Sequence, residues 1–235
     1  MSPKLLPFVA ALTLAGAAHA VTVNMTDFTF GSPTSANITG TNGSPSYDGA
    51  AGAFSGTQTD TPPTDAKRSS ITATSSTSFV AWCAELTQSF NFGVSYEYTL
   101  TGGIGYFGAQ RANDLSRLFT AAAANHFVFD SVGSAAFQAG IWEIIYEQDA
   151  SYSFLNGTLK EAPEDGTNLA ALAAFNTVNG FLTNLGQFSA NYHIDVLTNP
   201  AQQDFLVASI PEPETWALLV GGLGVIGLVR RRRKA

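Results

Sequence analysis

The chain has 235 residues, 45% of them hydrophobic and only 12% charged, against about 25% charged in an ordinary soluble domain; its length suits one domain or at most two small ones. Between Val21 and Ile210 five basic residues face sixteen acidic ones, a balance that repels phosphate backbones and excludes nucleic acid as a partner of the body. The single cysteine, Cys83, excludes an intrachain disulfide framework and a Cys-rich metal cluster.

Residues 1–20 read as a secretory signal. Lys4 supplies the positive start, Leu5 to Ala17 an apolar stretch too short to span comfortably, and Ala18-His19-Ala20 a small-x-small cleavage site that would leave Val21 as the first mature residue. The exported body, residues 21–208, opens with a loose alternation of Thr22, Asn24, Thr26 and Thr29 with Val23, Met25, Phe28 and Phe30, which predicts a strand. Turn signals crowd Gly31 to Asp65 (Gly31-Ser32-Pro33, Asn42-Gly43, Asp48-Gly49, Pro62-Pro63) and predict loops with short strands. One or two strands follow between Ser69 and Leu86, and another at Tyr96 to Leu100.

Helical periodicity takes over afterwards. Ala109 to Ala124 places Leu115, Leu118 and Phe119 on one stripe. Ser134 to Gln148 does the same with Phe137, Ile141, Ile144 and Ile145, Ser134 being the expected N-cap. A third helix over Asn168 to Leu185 carries Leu169, Leu172, Phe175, Phe181 and Leu182, and a last strand is expected near Tyr192 to Leu197. Strands followed by helices predict an α+β fold, a sandwich or barrel-like sheet with a helical part packed on it, besides an N-terminal signal helix and a C-terminal short membrane helix.

The tail is the most specific segment. Pro211-Glu212-Pro213 stops regular structure. An apolar anchor with four glycines then runs from Trp216 to Val229, and Arg230, Arg231, Arg232, Arg233 and Lys234 close the chain. The basic cluster holds that end in the cytoplasm, so the body lies outside the cytoplasmic membrane. Residues 209–235 closely resemble the PEP-CTERM sorting signal of Gram-negative, exopolysaccharide-producing bacteria. The resemblance implies an exosortase, a membrane transpeptidase, as partner, a cut near Pro-Glu-Pro, transient anchoring in the cytoplasmic membrane, and delivery to the cell surface or matrix.

Several chemistries were weighed within the body. Gly103-Ile104-Gly105-Tyr106-Phe107-Gly108 is a literal GxGxxG, but no parallel strand precedes Asp130, so a hairpin or loop is expected rather than a dinucleotide site. His126 and His193 lack metal-ligand spacing, and Cys83 lacks papain-type flanking residues, which argues against a metal centre or a thiol hydrolase. No cofactor is called for. Asn24, Asn37 and Asn156 head glycosylation-type triplets that read as ordinary turn and strand residues.

The informative pair is Cys83, in an aromatic strand, and Gln138, in an apolar helix where an unpaired amide costs about 1–3 kcal/mol. Trp82-Cys83-Ala84 and Phe137-Gln138-Ala139-Gly140-Ile141-Trp142 resemble the two signatures of the thioester domains of Gram-positive surface adhesins, an aromatic-Cys-apolar strand and an apolar-Gln-x-Ala-apolar-Trp helix. The resemblance implies an internal thioester between Cys83 and Gln138, in a water-excluding pocket supported by Trp82, Phe137 and Trp142, opened by a nucleophile on an exopolysaccharide or surface protein. Gly140 departs from the usual Ala, clearing space near the Gln, and Trp82 from the usual Tyr or Phe. The competing reading makes Cys83 a buried apolar thiol and Gln138 a hydrogen-bonding residue near the helix start. The expected function is thus a non-enzymatic, exported matrix protein. Two alternatives stand beside covalent attachment: a sugar-binding module using Tyr96, Tyr98, Tyr106 and Phe107, and, remotely, a glycoside hydrolase drawing on Glu85, Glu97, Glu143 and Glu147.

Overall fold

A computed structural model describes residues 19–60, 76–149 and 151–210. Six strands close an antiparallel barrel: β1 (His19–Phe28), β4 (Ala53–Asp60), β5 (Ser76–Cys83), β6 (Ser95–Gly102), β8 (His193–Thr198) and β9 (Phe205–Ser209), in the order β1-β4-β5-β9-β8-β6. A second sheet of three strands, β2 (Thr34–Gly40), β3 (Tyr47–Ala51) and β7 (Leu159–Pro163), has the order β3-β2-β7. The described residues also hold four α-helices: α1 (Gly103–Phe107), α2 (Ala109–Ala124), α3 (Ser131–Tyr146) and α4 (Leu169–Thr183). The class is α+β, as the order of elements predicts. No helix among the described residues is long and apolar enough to cross a membrane. The signal helix, the membrane anchor and any strand between residues 69 and 75 lie outside the described residues.

Period-two alternation builds the barrel. Val21, Val23 and Met25 of β1 point inward and are buried, while Thr22 and Asn24 of the other face bond to Glu97 and Ser95 of neighbouring β6. β1 begins two residues upstream of the expected mature start.

Helix α3 is the axle. From Gly133 to Ile144 every residue is buried, so the expected amphipathic stripe is instead a helix apolar all round. It lies among α2, α4 and the three-stranded sheet, and the covered faces leave no side for water. Its N-cap is Asp130, whose carboxylate accepts the Gly133 N–H at 2.8 Å. The assignment of that cap to Ser134 is corrected: Ser134 sits one turn inside the helix and serves the barrel.

Other expectations shift for local reasons. The described residues 31–60 hold three short strands between loops, as expected, with Asn42-Gly43 in a connection; Asp48-Gly49, expected to turn, instead lies inside β3. β7 and β9 were not anticipated; each has only five residues. Gly103 to Phe107 is a single helical turn, not a hairpin or loop. Leu169, assigned to the α4 stripe, is 80% exposed, since it opens the helix before the packed turn begins.

Candidate functional site

Because β4 begins only at Ala53, the edge of β5 beyond Trp82 is left open. The β4–β5 register pairs Ala53 with Trp82 and Phe54 with Ala81, so Gly52 would stand opposite Cys83. At Gly52 the chain turns away at φ +153°, and a Cβ there would meet the Ser134 Oγ at 3.0 Å. Helix α3 fills the gap with two side chains one turn apart. Ser134 Oγ accepts the Ala53 N–H at 2.8 Å. The Gln138 amide pairs with Cys83 at both ends: Oε1 accepts the Cys83 N–H at 2.8 Å and Nε2 donates to the Cys83 carbonyl at 2.9 Å. On its other edge β5 is held by β9, where the Ala84 N–H donates to the Asp204 carbonyl at 2.9 Å. Gln138 therefore stands in for a missing strand residue.

That pairing has chemical consequences. The amide is completely buried and Cys83 is 9% exposed, so both lie in a medium where hydrogen bonds are strong. The Cys83 N–H polarises the Gln138 carbonyl and would bear on negative charge developing at Oε1. In a strand the side chain stands out of the plane that holds the backbone hydrogen bonds. The Cys83 sulfur thus leaves its Cα to one side of the paired amide. Burial, and then the charge of Glu85, pushes the thiol well above its ordinary range.

Cys83 also forms part of the wall of a cavity of about 270 Å³. Tyr47, Phe54, Phe90, Phe92 and Trp142 make its aromatic sides. Tyr47 packs on Trp142 with ring centroids 5.2 Å apart and donates its hydroxyl to the Ala50 carbonyl at 2.7 Å. Burial first, then Cys83 and Asp48, raises the Tyr47 hydroxyl. Three buried polar atoms of the lining have no partner: Glu85 Oε1, Gln88 Oε1 and Trp142 Nε1. Burial and then Asp204 push the Glu85 carboxyl up.

Of the three residues assigned to a supporting pocket, only Trp142 lines this cavity. Trp82 and Phe137, with rings 4.9 Å apart, belong to a separate aromatic cluster with Phe119 and Phe129; adjacent strand residues face opposite ways, so Trp82 cannot share a wall with Cys83. Gly140 likewise clears space for Val178 and Leu118, not for Gln138. Neither His126 nor His193 lines the cavity, and no group of three or more His, Cys, Asp or Glu gathers as a metal site among the described residues.

The other candidate sets disperse. Tyr98, assigned to sugar stacking, is 2% exposed and donates its hydroxyl to the Gln203 carbonyl. Tyr106 gives its hydroxyl to Asp204 at 2.7 Å. Of the carboxylates, Glu97 accepts the Thr22 hydroxyl on the barrel wall, whereas Glu143 and Glu147 are buried on α3 and in the residue after it. Only Glu85 reaches the Cys83 cavity. Its place two residues beyond Cys83 was a legible signal for a shared strand face, whereas nothing in the sequence marked Tyr47, Phe90 or Gln203.

The family model of the PEP-CTERM protein-sorting motif matches residues 209–234. The chain is thus an exported protein presented to an exosortase-type system, with its C-terminus anchored in the membrane before processing. Pro211, Glu212, Pro213 and the basic cluster fall inside the match and outside the described residues. No curated protein and no solved structure matches the chain.

Proposed function

We propose that this exported protein attaches covalently to a partner at the cell surface or in the extracellular matrix, through an internal thioester between Cys83 and Gln138. The observation that carries the reading is the two-ended pairing of the Gln138 amide with the Cys83 backbone, beside a cavity that Cys83 lines. Formation joins the Cys83 sulfur to Gln138 Cδ, breaks the Cδ–Nε2 bond and releases ammonia. A nucleophile entering the cavity, an amine or hydroxyl of a surface protein or exopolysaccharide, then bonds to Cδ and frees the thiol. Each molecule reacts once, so the protein is a linker rather than an enzyme. Shielding from water favours the acyl–sulfur bond over hydrolysis, and the aromatic walls provide that shielding.

Intact-mass spectrometry of the mature protein tests the reading. The expected mass is one ammonia below that of the sequence, Cys83→Ala abolishes the deficit, and methylamine adds to the wild type while exposing one thiol. An undiminished mass with a freely alkylated Cys83 overturns it.

A further inference from the structure

Thioester formation and opening both need a proton moved at the sulfur, and the surroundings narrow the candidates. The titratable groups lining the Cys83 cavity are Tyr47, Glu85 and Cys83 itself, and the Tyr47 hydroxyl is committed to the Ala50 carbonyl. The groups that face Glu85 from the surrounding elements are Cys83 on β5, Asp204 before β9, Tyr98 on β6, Tyr106 on α1 and Tyr146 on α3. None of these is a cation. Asp204 has both oxygens occupied, by the Asn199 N–H at 2.7 Å and the Tyr106 hydroxyl at 2.7 Å. Tyr146 accepts the Leu86 N–H at 3.0 Å, and its hydroxyl is pushed up to about 12 chiefly by burial.

Glu85 differs from all of them. Its Oε2 accepts the Thr87 hydroxyl at 3.3 Å and the Asp204 backbone N–H also favours its charged form, while the buried Oε1 keeps no geometric hydrogen-bond partner. Its backbone is fixed from both sides: the Glu85 carbonyl accepts from Gln203 Nε2 at 2.6 Å, and the next N–H, of Leu86, is held by Tyr146. A buried carboxyl oxygen without a geometric partner, in the wall of the cavity that Cys83 lines, two residues from the thiol and on a pinned segment, is arranged for proton transfer.

We propose, on the basis of the thioester reading, that Glu85 is the general base and then general acid for both halves of the Cys83–Gln138 chemistry. In formation, the Glu85 carboxylate takes the thiol proton as sulfur bonds to Gln138 Cδ. The Cδ–Nε2 bond breaks, and Glu85 returns the proton to the nitrogen, which leaves as ammonia. In opening, Glu85 takes a proton from the incoming amine as nitrogen bonds to Cδ, then passes it to the departing sulfur. The Cys83 N–H holds the charge on Oε1 in each intermediate. No proton is gained or lost overall.

The test compares wild type, E85Q and E85D as full mature protein. The mass deficit reports formation; thiol release by methylamine, normalised to free amine across pH 5–9, reports opening. In the wild type the normalised rate is expected to fall as pH drops through the titration of a single carboxyl. E85Q either lacks the deficit or opens about 100-fold more slowly with no inflection, and E85D restores part of the rate and the inflection. A wild-type rate independent of pH over this range overturns the assignment whether or not E85Q folds. So does E85Q opening at the wild-type rate with the wild-type profile. A wild type without any mass deficit would instead remove the thioester on which the proposal rests.

Discussion

Gln138 pairs with the backbone of Cys83 as a strand residue would, accepting from its N–H and donating to its carbonyl from a helix 55 positions away. A buried amide that satisfies a strand edge serves structure before any chemistry, so the two roles must be separated. In a Cys83→Ala background no thioester can form, and the further change Gln138→Ala then reports hydrogen bonding and packing alone. It strands two buried backbone groups at about 1–3 kcal/mol each, so a loss of about 2–5 kcal/mol in chemical denaturation is expected. A loss below about 0.5 kcal/mol would mean the pairing holds nothing.

Gly140, like Trp82, is a position where the chain departs from the thioester signature it resembles, and its neighbours explain the departure. A Cβ there would come within 2.7 Å of Val178 Cγ1 on α4 and 3.5 Å of Leu118 Cδ2 on α2. Gly140→Ala should gain up to about 1 kcal/mol in helix propensity and lose about 1–3 kcal/mol to overpacking. Net destabilisation is the expected result, read as a lowered Tm, with the mass deficit of the proposed thioester unchanged. A raised Tm would show that α4 has room to move.

Residue 157 follows a different rule. Gly157 stands at φ +111°, and a Cβ would strike the Glu147 carboxylate. That carboxylate organises the loop before β7, accepting the Thr158 N–H at 2.9 Å, the Thr158 hydroxyl at 2.6 Å and the Leu159 N–H at 3.0 Å. Gly157→Ala therefore combines a left-handed backbone with a broken cluster, and a loss of about 2–4 kcal/mol is expected. Glu147→Gln, which keeps the shape but turns an NH2 toward N–H donors, should cost a similar amount. An unchanged denaturation midpoint in either variant would contradict the cluster.

How far the sequence revealed this arrangement depended on the range of the interaction. α2 was delimited to the residue, because its periodicity and flanking signals are local. The site pair was legible because two short motifs marked it. What joins them was not: the start of β4 at Ala53, the turn at Gly52 and the rotation of α3 that aims Ser134 at Ala53 of β4 and Gln138 at Cys83 of β5 are properties of the closed barrel. The same limit hid Tyr47 and Gln203, which reach the cavity from β3 and from the turn between β8 and β9. Trp82 misled for an elementary reason. Adjacency in a strand puts neighbours on opposite faces, so a residue beside Cys83 is the one least able to line its cavity.

Three acidic side chains around the end of α3 set opposing pH dependences. Glu143 and Glu161 are buried together; as two carboxylates they leave Glu143 Oε2 and both Glu161 oxygens without donors, and only a shared proton lets one bond to the other. Burial is the main cause that raises both; the Ser153 N–H that donates to Glu143 at 2.6 Å opposes it there, while the charge and hydrogen bond of Glu143 add to the rise of Glu161. The folded state thus binds a proton that the unfolded chain gives up near the ordinary value of 4.5. This contribution is complete below that value and is lost as pH rises through the raised titration of the pair. Glu147 runs the other way. Burial opposes its charge, but the Thr158 hydroxyl and the N–H groups of Asp149, Leu159 and Thr158 outweigh it and hold the carboxyl down to about 2. Its contribution is present above 4.5 and lost as pH falls toward 2. Unfolding free energy should therefore decline on both sides of a mildly acidic maximum. Glu161→Gln should remove the decline on the alkaline side, from the ordinary value of 4.5 up through the raised titration of the pair, leaving the acid side intact, and Glu147→Gln should do the reverse. Denaturation curves collected across pH for the three proteins decide it: an alkaline slope that survives Glu161→Gln would mean that the pair does not hold a proton in the folded state.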